Sequence, residues 1–238
     1  ILDAFEALVG EPDAPVFLTC EHASERLPEG YAWHPDDERL VGTHWAYDLG
    51  ARDLVFELAD AMRTPAVLSR FSRLFVDPNR PEGSDTLFRA EAEGAPVALN
   101  RDIDEAERAR RIEHFYRPYH DAIDRRLAVH GAPVLFSIHT FTPVYDGAVR
   151  PMEVGVLFDT QDELAERAAT AIRAAGFVTA LNEPYSGKAG LIHAAEHHAG
   201  NHGRKALELE VRQDLAVRPE FRRRLVVALA GFFGERGR

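Results

Sequence analysis

The 238-residue chain has one cysteine, Cys20, and only two lysines, Lys188 and Lys205, among its 28 basic residues. A lone cysteine excludes an intrachain disulfide and a cysteine-based zinc cluster. A formal net charge of −11 leaves no basic stripe for nucleic acid. Arginine in place of lysine suits bidentate carboxylate recognition, although a GC-rich genome produces the same bias. No apolar run approaches the roughly 20 residues of a membrane span. The opening ILDAFEALVGEPDAP shows no basic segment followed by an apolar one, so no signal peptide is expected, though it begins without Met and an upstream segment could precede it. These features make a reducing cytoplasm the default setting. Repeats, low-complexity tracts and pooled Pro or Gly are lacking as well, so the expectation is one domain over residues 1–238. Hydrophobic residues make up 45% of the chain, enough to bury a single large core at this length.

What is present alternates between two periodicities. APVFLTCE (14–21), PAVLSR (65–70), RLFVD (73–77), APVLFSI (132–138), MEVGVLF (152–158), FVTALN (177–182) and KALELEVR (205–212) read as short strands. Helical spacing marks 45–62, 103–129, 159–176 and 219–235, with Pro118 expected to kink or divide the second of these. Strands alternating with helices imply an α/β fold, a largely parallel or mixed sheet covered on both faces. In such sheets ligands bind outside the carboxyl ends of the strands.

Polar residues collect at those ends. The first strand runs into Glu21, His22 and Glu25, and the strand at 132–138 into Ser137 and His139. KALELEVR carries Glu208, Glu210 and Arg212, and SRLFVDPNR supplies Arg73, Asp77, Asn79 and Arg80. Imidazole and carboxylate groups on one sheet edge are what a zinc site with an open position requires. Taken singly, His22 and His139 could equally be histidines satisfied by backbone. Glu208 and Glu210 share one face of their strand, and a buried carboxylate without a partner costs several kcal/mol, so together these residues favour a metal site. His44 and Asp48 fall at i and i+4, one face of the expected helix, and could reach an ion or each other. His114 and His120 read as structural. His193 and His197 also stand at i and i+4, but HAAEHHAGNHG (193–203) lacks the HExxH glutamate and reads as a helix face or loop. Cys20 reads as a small buried side chain.

CEHASERLP, HWAYDLGA, SRLFVDPNR, PYH, SIHTF, NEPYSG and LELEVRQDL, in that order, resemble the N-formylglutamate amidohydrolase family over roughly residues 15–230. The resemblance implies a three-layer α/β/α fold around a mixed sheet, phosphorylase/hydrolase-like and akin to zinc carboxypeptidases. It implies hydrolysis of an N-formyl or N-acyl amide on an acidic amino acid, with a Zn2+ or another divalent metal and a small-molecule substrate. His139 resembles the last zinc ligand of metallocarboxypeptidases, and His22 with Glu25 matches their H-x-x-E spacing. Asp48 competes with Glu25 for the third ligand position. Glu210-Val-Arg212 resembles the E-x-R that carries the general base. The same resemblance makes Arg80 the first candidate to stabilise an oxyanion or clamp a substrate carboxylate, with Arg73 and Arg212 next. Asn79, Asn182 and Tyr185 become substrate contacts, and the family suggests histidine catabolism. Three readings compete: a carboxypeptidase-like or other N-acyl amino acid hydrolase, a non-catalytic binding relative, and a metal-free structural protein.

Overall fold

The computed structural model describes residues 4–234. Its strands are β1 (Phe5–Leu8), β2 (Val16–Cys20), β3 (Ala66–Ser69), β4 (Glu91–Ala92), β5 (Ala95–Pro96), β6 (Val134–Phe141), β7 (Val144–Tyr145), β8 (Ala148–Val149), β9 (Val154–Leu157), β10 (Thr179–Leu181) and β11 (Lys205–Arg212). Its helices are α1 (Ala51–Met62), α2 (Ala98–Arg101), α3 (Glu105–Arg111), α4 (Arg117–Leu127), α5 (Asp162–Ala174), α6 (His193–Asn201), α7 (Gln213–Ala216) and α8 (Pro219–Gly234). Residue 235, the last of the helix expected at 219–235, lies outside the described residues.

Seven strands form one sheet in the order β1-β3-β2-β6-β11-β9-β10. β3, β2, β6 and β11 run parallel, whereas β1 pairs antiparallel with β3 and β9 antiparallel with β11. The sheet is therefore mixed. Side-chain alternation divides its residues between two cores. Val16, Leu18, Val134, Phe136, Ile138, Leu207 and Leu209 pack on one face with α1, α5 and α8. Phe17, Leu135 and Ala206 pack on the other with α4 and α6. This is a three-layer α/β/α fold.

The alternation also determines where the polar residues go. Counting by twos from Leu135 leads to Ser137 and His139, and from Ala206 to Glu208 and Glu210, so all four project from the α4/α6 face. The parallel register sets Ser137 beside Glu208 and His139 beside Glu210.

Two expectations need correction, and a third is met. RLFVD is not a strand: residues 73–77 lie in turns, with the Phe75 N–H donating to the Ser72 carbonyl and the Arg80 N–H to that of Asp77. Its apolar residues Leu74, Phe75 and Val76 are buried, so burial without a sheet partner produced the strand-like pattern. Residues 45–50 are also outside the helix expected at 45–62, so His44 and Asp48 do not share a helix face. Gly50 has a left-handed φ of 84°, and a Cβ there would lie 2.6 Å from the Ala216 carbonyl carbon, a conformation and an approach that glycine tolerates. The 103–129 region divides into α3 and α4 around a π-type turn at Ile112–Tyr116, with Pro118 in the first turn of α4, where its missing N–H costs least.

Candidate metal centre

β2 ends at Cys20, and the chain turns immediately, placing the buried Glu21 and His22 at the carboxyl edge of the sheet. The Asp48 N–H donates to the His22 carbonyl at 2.9 Å, drawing the 43–50 turn against that edge. Next to β2, β6 supplies His139, and the turn following β3 supplies Arg73 and Asp77. Side-chain donor atoms of His22, Asp48 and His139, all buried, lie within 4.8 Å of one another.

Both rings are held from behind. His22 Nε2 lies 2.8 Å from Asp77 Oδ1, and His139 Nε2 lies 2.9 Å from Glu21 Oε2. Glu21 is itself fixed by the Tyr119 hydroxyl at 2.8 Å and the Ser137 hydroxyl at 2.5 Å. A carboxylate taking the Nε2 proton leaves a lone pair on Nδ1, which is how a metal-ligating histidine is usually oriented. The His22 Nδ1 is 3.5 Å from Asp48 Oδ1, and the His139 Nδ1 is 2.8 Å from Asp48 Oδ2. A lone pair facing a carboxylate oxygen at that distance is repulsive unless a proton or a cation lies between them.

The charge balance points the same way. Glu21, Asp48, Asp77, Glu208 and Glu210 are all buried here. His22 Nδ1, Glu208 Oε2 and Glu210 Oε2 have no hydrogen-bond partner among the described residues. Burial alone would raise Glu21, but the His139 ring and the two hydroxyls bring it down to about 2. Burial opposes ionisation of Asp77 too, and the His22 ring and Arg73 guanidinium outweigh it, holding that carboxyl well below its ordinary value. For His139, burial disfavours charge, yet Glu208, Asp48 and Glu21 drive its pKa well above the ordinary imidazole range. Burial pushes Glu208 up to about 7 and Glu210 well above the usual carboxylate range. Excess buried negative charge and two ring nitrogens facing one carboxylate make a donor set that fits a divalent metal such as zinc. Its charge would take the place of the proton that His139 otherwise holds between Nδ1 and Asp48.

A cavity of about 410 Å³ opens over this cluster. Asn79, Arg73, Arg80, Tyr185, Glu208 and Glu210 are in its wall. Arg73 is committed to Asp77 at 3.2 Å and Asp48 at 3.6 Å. Arg80 donates to the Asn79 carbonyl at 2.8 Å, and Arg89, also in the wall, stacks on Trp45 at 5.3 Å. Neither Arg80 nor Arg89 is paired with a carboxylate among the described residues. Asn79 anchors the wall, its Oδ1 accepting the Ala194 N–H at 3.0 Å.

Three residues expected at the site sit elsewhere. Glu25 accepts the Gly42 N–H at 2.5 Å, outside the buried cluster. Asn182 accepts the N–H groups of Phe158 and Gly187 and braces that loop. Arg212 forks onto Asp214 at 2.8 Å and reaches the Arg150 carbonyl at 3.1 Å. Sequence reasoning passed over the ring-holding roles of Glu21 and Asp77. It also missed Arg89, which carried no signal of its own, whereas Glu21 stands directly beside His22.

Residues 14–217 match the N-formylglutamate amidohydrolase family. The chain belongs to that family. It is an amidohydrolase. No curated protein matches. A solved gene product of Agrobacterium tumefaciens is 30% identical, with 98% of this chain and 94% of that one covered and a TM-score of 0.85. An N-formylglutamate amidohydrolase from Ralstonia eutropha JMP134 is 20% identical over the full length of both chains, TM-score 0.71. A bacteriophage poly-gamma-glutamate hydrolase is 13% identical, covering 100% of this chain and 91% of its own, TM-score 0.51. The last two likenesses bear on the fold alone. Among the described residues of this family member, no helix is long and apolar enough to cross a membrane.

Proposed function

We propose that this protein hydrolyses the amide of an N-formyl or similar N-acyl acidic amino acid, N-formylglutamate first, releasing formate and the free amino acid. The observation that carries the reading is the convergence of His22 Nδ1, His139 Nδ1 and the Asp48 carboxylate beneath a cavity walled by Glu210 and unpaired arginines. His22, Asp48 and His139 would hold the metal, zinc or another divalent ion, and Glu25 is left out of the ligand set. When bound, that ion supplies Lewis acidity, polarising a carbonyl oxygen and acidifying water.

The chain's own residues supply the rest. Glu210 takes a proton from the attacking water and delivers it to the leaving nitrogen, so water adds to the acyl carbon as the C–N bond breaks. Burial beside Glu208 favours the proton-holding form of this carboxyl, which suits the second half of that transfer; the ionised form that the first half needs is favoured once His22, Asp48 and His139 hold a cation. Asp77 and Glu21 keep the two rings in one tautomer. Arg80, joined by Arg89, clamps substrate carboxylates, which explains how an acidic protein accepts an anionic substrate. Arg73 serves mainly to neutralise Asp48 and Asp77, while Asn79 and Tyr185 shape the wall. Asn182 and Arg212 support the surrounding loops rather than touch substrate. A single catalytic domain over 1–238, a cytoplasmic location and a place in histidine breakdown accompany this reading.

Formate release from N-formylglutamate, measured beside amino-acid release from N-acetyl- and peptidyl-glutamate, tests it. Preferred turnover of the formyl compound, abolished by chelator and restored by zinc, is expected. Turnover indifferent to chelator, or confined to peptidyl substrates, would refute it.

A further inference from the structure

A second group of imidazoles lies away from this cavity. On α4, His120 and Asp124 stand one helical turn apart. On α6 and the residue that ends it, His197, His198 and His202 face them. Asp124 Oδ1 is 2.8 Å from His198 Nδ1 and 2.9 Å from His202 Nε2. Ligand atoms of Asp124, His197 and His198 lie within 4.8 Å of one another. The other nitrogen of His198, Nε2, is 2.7 Å from His120 Nδ1, and the two rings stack with centroids 5.0 Å apart. None of these residues belongs to the cavity wall above His22 and His139.

We propose that Asp124, His197, His198 and His202 form a second site, for a borderline divalent cation such as Zn2+, Co2+ or Ni2+. Two rings aim nitrogens at one carboxylate oxygen, and a third ring stands beside them. Three imidazoles and one carboxylate are a donor set that zinc and its neighbours prefer over calcium or magnesium. Ligands at zinc distances in a tetrahedron lie roughly 3.3 Å apart, so the present 2.8 and 2.9 Å contacts open by about half an ångström, while His202, which lies outside the 4.8 Å group of Asp124, His197 and His198, closes on the other two rings. His197 is exposed, its ring resting on His193 at 5.8 Å and edge-on to His198 at 5.1 Å between centroids and its Nε2 3.3 Å from the Asn201 amide, so it can swing in by giving up one long hydrogen bond. His198 is preset: His120 fixes its far nitrogen, as the partner of a ligating ring does. With the Asp124 side chain 35% exposed and that of His202 19% exposed, the cation can enter from solvent without opening the core. Once bound it ties α4 to the end of α6.

The test is metal content of the full chain, stripped with chelator, dialysed against zinc and measured by elemental analysis. Wild type is expected to hold two equivalents and His139→Ala one. The double variant Asp124→Asn/His202→Gln is expected to hold one and to keep formate release within about twofold of wild type. Should that variant fail to fold by circular dichroism, His197→Ala/His202→Gln, which alters the two more exposed rings, replaces it with the same expectation. The proposal is overturned if wild type holds a single equivalent that His139→Ala loses, or if the double variant keeps two. Failure of the first site is distinguishable: His139→Ala would then hold as much zinc as wild type, and the double variant would hold none.

Discussion

Replacing Asp77 by asparagine perturbs the metal centre while leaving every proposed ligand in place. Asp77 Oδ1 accepts from His22 Nε2 at 2.8 Å and from the Asn79 N–H at 2.9 Å, while Oδ2 accepts from Arg73 at 3.2 Å. An asparagine oxygen placed at Oδ1 preserves the first two contacts but points an amide NH2 at the Arg73 guanidinium, donor against donor. Flipping the amide rescues Arg73 and sets the NH2 against His22 and Asn79 instead. Either way at least one charge-assisted bond, on the order of 1.5–3 kcal/mol, is lost from a buried network. Part of that loss falls on the tautomer of His22, because a neutral amide no longer favours the proton on Nε2. Loss of a carboxylate behind a ligating ring weakens metal binding by about 10–100-fold, or about 1.4–2.8 kcal/mol. Zinc affinity, measured by competition with a chelating dye, should fall by that factor. Formate release at saturating zinc should recover further than release at limiting zinc. Unchanged affinity in a folded Asp77→Asn protein would refute the assignment of His22 Nδ1 as the ligating atom.

Glu210→Gln should lower kcat by about 10²–10⁴-fold while zinc content stays that of wild type; near-normal turnover would remove Glu210 as the base. His139→Ala should lose the zinc bound at the cavity, whereas Glu25→Gln should bind zinc as wild type does, since Glu25 only caps the Gly42 N–H; elemental analysis of the two decides between Asp48 and Glu25. Arg80→Ala should raise KM for N-formylglutamate by roughly tenfold, the scale of one charge-assisted bond, with a smaller change in kcat. In chelator-treated protein, Glu208 is raised from 4.5 to about 7 and His139 well above 6.5. At these two groups the folded state holds more protons than the unfolded one, and their contribution to stability falls as pH rises from 5 to 8. The buried His120, lowered from 6.5 to about 3, acts in the opposite direction, its contribution growing as pH rises towards 6.5. Glu21, lowered from 4.5 to about 2, works in the other window, its contribution being lost as pH falls from about 4.5 towards 2. Metal-free thermal melts of wild type beside Glu208→Gln check the sign at the site: the wild-type Tm relative to the variant's should fall from pH 5 to 8, and a difference that rises over that range would refute the charge balance drawn for the site.

Period and local order already carry much of this protein. The two-residue period places Ser137, His139, Glu208 and Glu210 on common faces of their strands, because side-chain direction in an extended chain is a local property. The alternation of strands and helices implies a covered sheet, and strand ends imply where a ligand sits. The ordered motifs, from CEHASERLP to LELEVRQDL, carry the family likeness on sequence alone. Partnership across the chain was beyond that reach. Asp48 lay as close to His44 in the expected helix as to anything else, until the left-handed turn at Gly50 and the hydrogen bond to the His22 carbonyl brought it to His139, 91 residues away. Glu25 kept a plausible spacing from His22, and only the turn after β2 directs it to Gly42 instead. RLFVD had a strand's apolarity but no strand beside it to pair with. Tertiary contact likewise separated Arg73, consumed by two aspartates, from Arg80 and Arg89, which remain available. Spacing determines which side chains could share a face; only the folded chain determines which distant charge each one meets, since electrostatic partners are set by distance in space and not along the sequence.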